Sequence, residues 1–338
     1  MTSTNDNLTS MAGLTIVLKP LRSSTLQAIG LADWLSKFEP VQAWIPLVQQ
    51  NGVTKVMLVA EAQDYSTLTQ TICQQIIWNV AIAWQGNCYE FTGIEVDNHD
   101  LHVLQISLTP AESLPRSMGR AIHAQFSQWL AIADSALADH LHQQSQLPFT
   151  LSISPGSHPK LRISLLQKKL LAPLLLGLSH SLGQEMLLAN IACRLGQAID
   201  IVQMNQFEQL TQTIPKEAIE LEFLSPTSFK QGQQIQPFPL PEFVFAGLHR
   251  RWNAFAPNHL HFPKVEWQSL VAMYELRTKT FRMEGGSEIG SVGWVRYRFP
   301  NPEQARIATI LAHFASFAGV GRKTTMGMGQ TRLKGKEN

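Results

Sequence analysis

Ala218-Ile219-Glu220-Leu221-Glu222-Phe223-Leu224-Ser225-Pro226 alternates apolar and polar residues and then meets a Ser-Pro turn signal, the pattern of a half-buried strand. Downstream, Pro241 to Phe255 is an amphipathic helix introduced by Pro239-Leu240-Pro241. Proline suits a helix start because the N–H it lacks would have no intrahelical partner there. Val271 to Phe281 and Ser291 to Phe299 read as two strands, with a turn at Glu284-Gly285-Gly286. Asn301-Pro302 opens a second helix, Asn as N-cap and Pro in the first turn, that runs to Phe317. Gln330 to Leu333 is the last strand. Strand–helix–strand–strand–helix–strand is the ferredoxin-like order, so residues 216–338 are read as one such domain.

The same order recurs upstream, more loosely, over 99–215. Leu101 to Leu108 is strand-like, and Gly119 to Ile132 is a helix with Ile122, Phe126, Trp129 and Leu130 on one face. Asp134 to His142 is a second short helix with Asp134 as N-cap. Strands at Pro148–Ile153 and Lys160–Leu165 flank a Pro155-Gly156 turn; Leu170–Leu178 is helical, and Glu185–Ile201 supplies further strand. Asp97-Asn98-His99-Asp100, a run of turn formers, marks the boundary before this domain. Ahead of it, residues 1–98 mix strands (Leu14–Leu18, Val53–Ala60) with a helix over Tyr65–Trp84. The expected fold is therefore α+β: two tandem ferredoxin-like domains behind an N-terminal α/β segment of unknown role.

Composition narrows the classes. At 338 residues, 44% apolar and 15% charged, the chain can bury real cores, which excludes wholesale disorder. No run reaches the roughly 18 apolar residues of a membrane span, and Met1–Asn7 lacks the basic-then-apolar pattern of a secretory signal. Three scattered cysteines (Cys73, Cys88, Cys193) make neither a disulfide framework nor a zinc knuckle. A reduced, cytoplasmic protein without membrane contact is expected. The net charge of +2 divides unevenly: residues 1–99 hold 4 Lys/Arg against 8 Asp/Glu, and the remainder 23 against 17. The basic part is the candidate for a polyanion.

The sharpest motif is Gly319-Val-Gly321-Arg322-Lys323-Thr-Thr-Met-Gly327-Met-Gly329. Four glycines around two adjacent cations let backbone N–H groups approach phosphates. The motif lacks the Gly-Lys-Ser/Thr ending of a phosphate-binding loop that opens a helix, and it follows a helix instead. The bland alternative is a structural connection between helix and strand.

Phe317-Ala-Gly-Val-Gly-Arg-Lys-Thr-Thr-Met-Gly-Met-Gly-Gln330 closely resembles the C-terminal glycine-rich loop of the CRISPR-associated endoribonucleases that cut repeat RNA into guides, the sixth Cas family, and most of all its cyanobacterial members. Three further stretches resemble the family in order. Gly119-Arg120-Ala-Ile-His123-Ala is similar to its first helix, and Leu141-His142 with Phe149-Thr150-Leu-Ser to the segment bearing its catalytic histidine. Glu222 to Gly232, leading into Phe243 to Trp252, is similar to the opening of its second domain. The resemblance covers roughly 101–335.

It implies two ferredoxin-like, RRM-related domains and metal-independent cleavage, in which the RNA's 2′-hydroxyl attacks the adjacent phosphate and leaves a 2′,3′-cyclic phosphate and a 5′-hydroxyl. Such chemistry needs a base, an acid and a cation, and histidine suits both proton roles because it titrates near neutrality. His142 is the first candidate and His123 the second, with His140 facing elsewhere. The candidate RNA contacts are Arg120, Lys160, Arg250, Arg251, Gly319, Gly321, Arg322, Lys323, Gly327 and Gly329, which Arg296 and Arg298 could join. Some members carry a lysine just before the Phe-Thr strand, where Leu147-Pro148 stands here, or a tyrosine on the first helix, which this segment lacks. Lys160, Arg120 or Arg116 are the candidate replacements. The implied partners are CRISPR repeat RNA, guide RNA and other Cas effector subunits. No cofactor is expected, and no metal, since no two His or Cys residues are read as standing in a carboxylate-rich cluster with ligand spacing. The competing readings are a weak or inactive RNA-holding subunit and a nucleotide-binding metabolic enzyme.

Overall fold

Side-chain alternation along β12 (Ala218–Thr227) becomes a two-faced strand: Ile219, Leu221 and Phe223 are buried, while Glu220 and Glu222 face outward and pair with Arg296 and Arg332. The structure is a computed structural model that describes residues 11–335 apart from 22–27, 38–40, 49–52, 79, 116–117, 155 and 284–285. Arg116 and most of the Glu284-Gly285-Gly286 turn lie outside the described residues.

Three strand–helix units follow one another. The first comprises β1 (Met11–Pro20), β2 (Ile29–Gly30), α1 (Leu31–Leu35), β3 (Val41–Pro46), β4 (Thr54–Glu61), α2 (Tyr65–Ile77), β5 (Ala81–Trp84) and β6 (Asn87–Val96). Next come β7 (Leu101–Pro110), α3 (Gly119–Ala133), α4 (Ser135–Gln143), β8 (Phe149–Ile153), β9 (Lys160–Leu165), α5 (Leu171–Ser179), β10 (Glu185–Leu188) and β11 (Ile191–Asn205). A short α6 (Phe207–Thr211) leads to β12, a small hairpin β13 (Phe229–Gln231) and β14 (Gln234–Gln236), then α7 (Pro241–Phe255), β15 (Leu270–Met283), β16 (Gly286–Arg298), α8 (Pro302–Ala318) and β17 (Thr331–Leu333).

The middle sheet runs β10-β11-β7-β9-β8 and the last β15-β16-β12-β17. Apart from β10, each is the antiparallel 4-1-3-2 arrangement of a ferredoxin-like domain. The helix starts use the expected devices: Asp134 accepts from the Leu137 N–H at 2.9 Å, and Asn301 from the Gln304 N–H at 3.0 Å.

The front sheet, β2-β5-β6-β1-β4-β3, contains the same kernel. β6-β1-β4-β3 is antiparallel throughout, with α1 between β1 and β3 and α2 between β4 and β6. The N-terminal segment is thus a third ferredoxin-like unit. The helix read over Tyr65–Trp84 is corrected here: it ends at Ile77, and Ala81–Trp84 is a strand. Gln85 and Gly86, both at positive φ (49° and 77°), make the two-residue turn that folds this strand onto β6.

The front and middle units share a core. One face of the front sheet packs on α1 and α2, around Leu14, Ile16, Leu58 and Trp34. The other face places Ala43, Ile45, Met57 and Val59 in one cluster with α5 and the middle sheet. Lying between two sheets, α5 is apolar all round, with Leu171, Ala172, Leu174, Leu175 and Leu178 buried. Gly177 allows its crossing with α3, because a Cβ there would lie 1.9 Å from the Trp129 carbonyl oxygen. On the other side of the middle sheet lies α8, whose Ser316 and Phe317 carbonyls accept from Arg162 (2.7 Å) and Thr150 (3.3 Å). No described helix is long and apolar enough to cross a membrane.

Candidate active site

His123 lies on α3 and His142 in the last turn of α4. The two helices are joined through Asp134, which ends one and caps the other, and this tight corner brings the imidazoles together with ring centroids 6.5 Å apart. Phe149, at the start of β8, sits 5.7 Å from His123, and both histidines line a shallow pocket with Leu147. His123 is half-buried and its Nδ1 has no hydrogen-bond partner. Burial lowers its pKa below the usual 6.5, and His142 nearby adds to this; the Thr325 backbone opposes it. His142 is exposed to solvent. His140 is exposed as well, but its Nε2 meets the Gln144 amide at 2.9 Å, which takes it out of the pair.

The glycine loop closes over this corner. Gly319, Gly321, Gly327 and Gly329 all have positive φ (65°, 83°, 99° and 71°). A Cβ on Gly321 would lie 2.4 Å from the Ser228 carbonyl oxygen, and one on Gly329 would lie 2.1 Å from that of Val320. Several loop N–H groups are already used: Val320 donates to Gly329 within the loop, while Arg322 and Gly329 donate to the carbonyls of Ser228, just past β12, and of Pro226, near its end. The glycines therefore build a clasp bonded to itself and to the end of β12 rather than an open row of donors. Its short helical turn, Thr324–Met326, seats against Gly119 at the start of α3, where any side chain would strike the Met326 carbonyl. This contact carries the third unit onto the first helix of the second and sets Thr325 beside His123.

The candidate cations divide into four groups. Arg251 on α7 donates to Thr324 Oγ1 and to the Leu147 carbonyl, each at 3.2 Å, joining the loop to the segment before β8. Among the described residues no carboxylate pairs with it, its Nε is buried without a partner, and burial brings its pKa down to about 10. Arg322 and Lys323 are each 3.1 Å from the buried Glu288 carboxylate on β16, which also accepts from Ser228. Arg296 and Arg298 are likewise paired, with Glu220 and Glu217, both at 2.8 Å. Arg120 and Arg250 are exposed on α3 and α7. Lys160 is not brought to the pair. The register Phe149↔Leu165 and Ile153↔Leu161 puts it just past the far end of the β8–β9 ladder, about 17 Å along the strand from Phe149.

Sequence reasoning missed two features. The isolation of Arg251 depends on which side chains surround it, and no local pattern signals that. The second is a correction: Asp97, His99 and His102 have donor atoms within 4.8 Å of one another, so histidines with a carboxylate at ligand spacing do occur. The signal, Asp-x-His-x-x-His, runs from the residues read as a turn, Asp97–Asp100, into those read as a strand, where His102 lies.

Fold and site together define a tandem ferredoxin-like protein with a histidine pair under a glycine clasp. Residues 221–331 match the family described as CRISPR-associated endoribonuclease Cas6. A Cas6 endoribonuclease of Mycobacterium tuberculosis is 26% identical over 137 residues, 39% of this chain; the match spans 44% of that relative's length. A Thermus thermophilus Cas6 solved as a product complex superposes with a TM-score of 0.63 at 25% identity, covering 70% of this chain and all of its own. A second Cas6 product complex gives 0.59 at 28% identity, over 69% of this chain and 100% of its own. The chain is thus similar to Cas6 endoribonucleases over part of its length.

Proposed function

We propose that this chain is a metal-independent endoribonuclease that cleaves CRISPR repeat RNA by attack of its 2′-hydroxyl, giving 2′,3′-cyclic phosphate and 5′-hydroxyl ends, and that it keeps its product bound. The observation that carries this reading is the His123–His142 pair, 6.5 Å apart between ring centroids, beneath the loop. Hydrogen bonds of about 2.6–3.2 Å from either side would let a phosphate with its attacking and leaving oxygens fit between them. His123, held neutral by burial, accepts the 2′-hydroxyl proton; His142, at the solvent edge, gives one to the leaving 5′-oxygen. Arg251, beside the Leu147 carbonyl where some relatives carry a lysine, supplies positive charge for the phosphorane. Repeat RNA, guide RNA and other effector subunits are the proposed partners. The absence of the lysine and tyrosine at Leu147-Pro148 and on α3 supports the second reading, a weakly active or inactive RNA-holding subunit. Single-turnover cleavage of labelled repeat RNA by the pure protein separates the two.

The sign of the pH dependence follows from His123. Its pKa is depressed, so it stays an acceptor down to pH values below 6.5. On the acidic side cleavage should fall as pH drops through that lowered value, while loss of the proton that His142 donates sets the alkaline limb. An acidic limb above 6.5 in the single-turnover pH–rate profile would contradict its role as base.

Arg322 and the clasp are expected to serve binding. Arg322→Ala should weaken repeat-RNA affinity and reduce the salt slope by roughly 0.7–0.9, one phosphate contact's worth. Gly321→Ala should weaken binding through a misfolded loop, because its Cβ would meet the Ser228 carbonyl. Titrations at several salt concentrations test both. An unchanged slope in Arg322→Ala would leave Arg322 only its pairing with Glu288.

A further inference from the structure

The connector between the front and middle units carries a cluster that the cleavage chemistry does not use. Asp97 and His99 follow β6, and His102 lies on β7. Asp97 Oδ1 is 2.8 Å from His99 Nδ1, and Oδ2 is 2.7 Å from His102 Nε2. The carboxylate also accepts from the His99 backbone N–H at Oδ1 (3.0 Å), and the Lys168 ammonium donates to the Asp97 backbone carbonyl. His102 is fully buried and its Nδ1 has no protein partner, so no contact there fixes which nitrogen carries the proton. A cavity of about 440 Å³ opens on the cluster, between β1 and β4 of the front sheet and Ile201 and Met204 of β11.

We propose that Asp97, His99 and His102 form a divalent transition-metal site of the Zn²⁺ class at the junction of the first two units. Two imidazole nitrogens and one carboxylate oxygen, all within 4.8 Å of one another, are the donor types and number that such ions take from a protein. Metal–ligand bonds of about 2.0–2.2 Å set tetrahedral donors about 3.4 Å apart, so the contacts at 2.8 and 2.7 Å to Asp97 would open by about 0.6 Å and the widest donor separation, within 4.8 Å, would close. The cavity leaves a fourth position open to water or a small ligand. Because two donors belong to the connector and one to β7, the ion would fasten the front unit's last strand to the middle sheet, and metal binding would add to folding stability.

The test uses the full chain, stripped with chelator and titrated with Zn²⁺ by calorimetry, then with Co²⁺ followed by visible absorption. Expected are one Zn²⁺ per chain, a higher thermal midpoint, and Co²⁺ d–d bands typical of low coordination number. His99→Ala, a change on the half-exposed connector residue, should weaken Zn²⁺ binding at least tenfold and abolish the bands, while repeat-RNA cleavage stays unchanged. That last readout also separates failure of this site from failure of the proposed nuclease chemistry. Absence of the Co²⁺ bands in the unsubstituted protein, or equal Zn²⁺ affinity in His99→Ala, would overturn the proposal and leave a hydrogen-bonded His-Asp-His cluster.

Discussion

His142→Ala is expected to lower the single-turnover cleavage rate of repeat RNA by about 10²–10⁴-fold, the range for one positioned proton-transfer group, while affinity changes no more than a few-fold. The asymmetry follows from the geometry. His142 is exposed in the last turn of α4 and meets the corner through its ring contact with His123, so its removal should take away a proton and little structure. His123 differs, being half-buried against Phe149 and close to Thr325, and His123→Ala should cost stability as well as rate. Rates and affinities measured on the same preparations separate these outcomes. Near-normal turnover by His142→Ala would move both proton roles away from this histidine.

Removing residues 1–98 is the second large effect expected. Without the front sheet, α5 loses the cover of Ala43, Ile45, Met57 and Val59 and exposes a face made of leucine. Each buried side chain of this size is worth roughly 1.5–3 kcal/mol, against a total stability of about 5–15 kcal/mol for a typical domain. The truncated chain should therefore collect as insoluble protein or melt far below the intact one. Ile45→Asp, which keeps the length, should lower the thermal midpoint in the same direction. A soluble truncation with an unchanged midpoint would show that the front unit is an appendage.

Much of this was legible in the sequence. The alternation of Ala218–Phe223, the Pro241 and Asn301 helix starts and the hairpin between them lie close along the chain, and they gave the third unit directly. The front unit was harder to read. Its α1 is only five residues long, and its parallel β2–β5 pair and Gln85-Gly86 turn break the pattern that marks a ferredoxin-like unit. The meaning of Leu170–Leu178 was also hidden: an apolar helix reads as buried, but only the second sheet explains why every side is covered. For the site, the two histidines could be picked from the residues and the resemblance, whereas the state of the cations could not. Glu288 stands 34 residues before Arg322 and reaches it only through the β15–β16 hairpin. Lys160 was attractive for its charge, and the β8–β9 register alone shows that it points to the wrong end of the sheet.

The central claim is that the nucleophile belongs to the RNA and that two imidazoles move its protons. The most direct measurement is cleavage, in excess EDTA, of a repeat RNA carrying one 2′-deoxy nucleotide immediately upstream of the cut, beside the all-ribose RNA. The RNA 2′-hydroxyl is the group that distinguishes the two. Expected is full cleavage of the ribose substrate with a cyclic phosphate at the new 3′ end, and no cleavage of the deoxy substrate despite near-equal binding. Cleavage of the deoxy substrate, or a strict need for Mg²⁺ or Mn²⁺ with the ribose one, would contradict it.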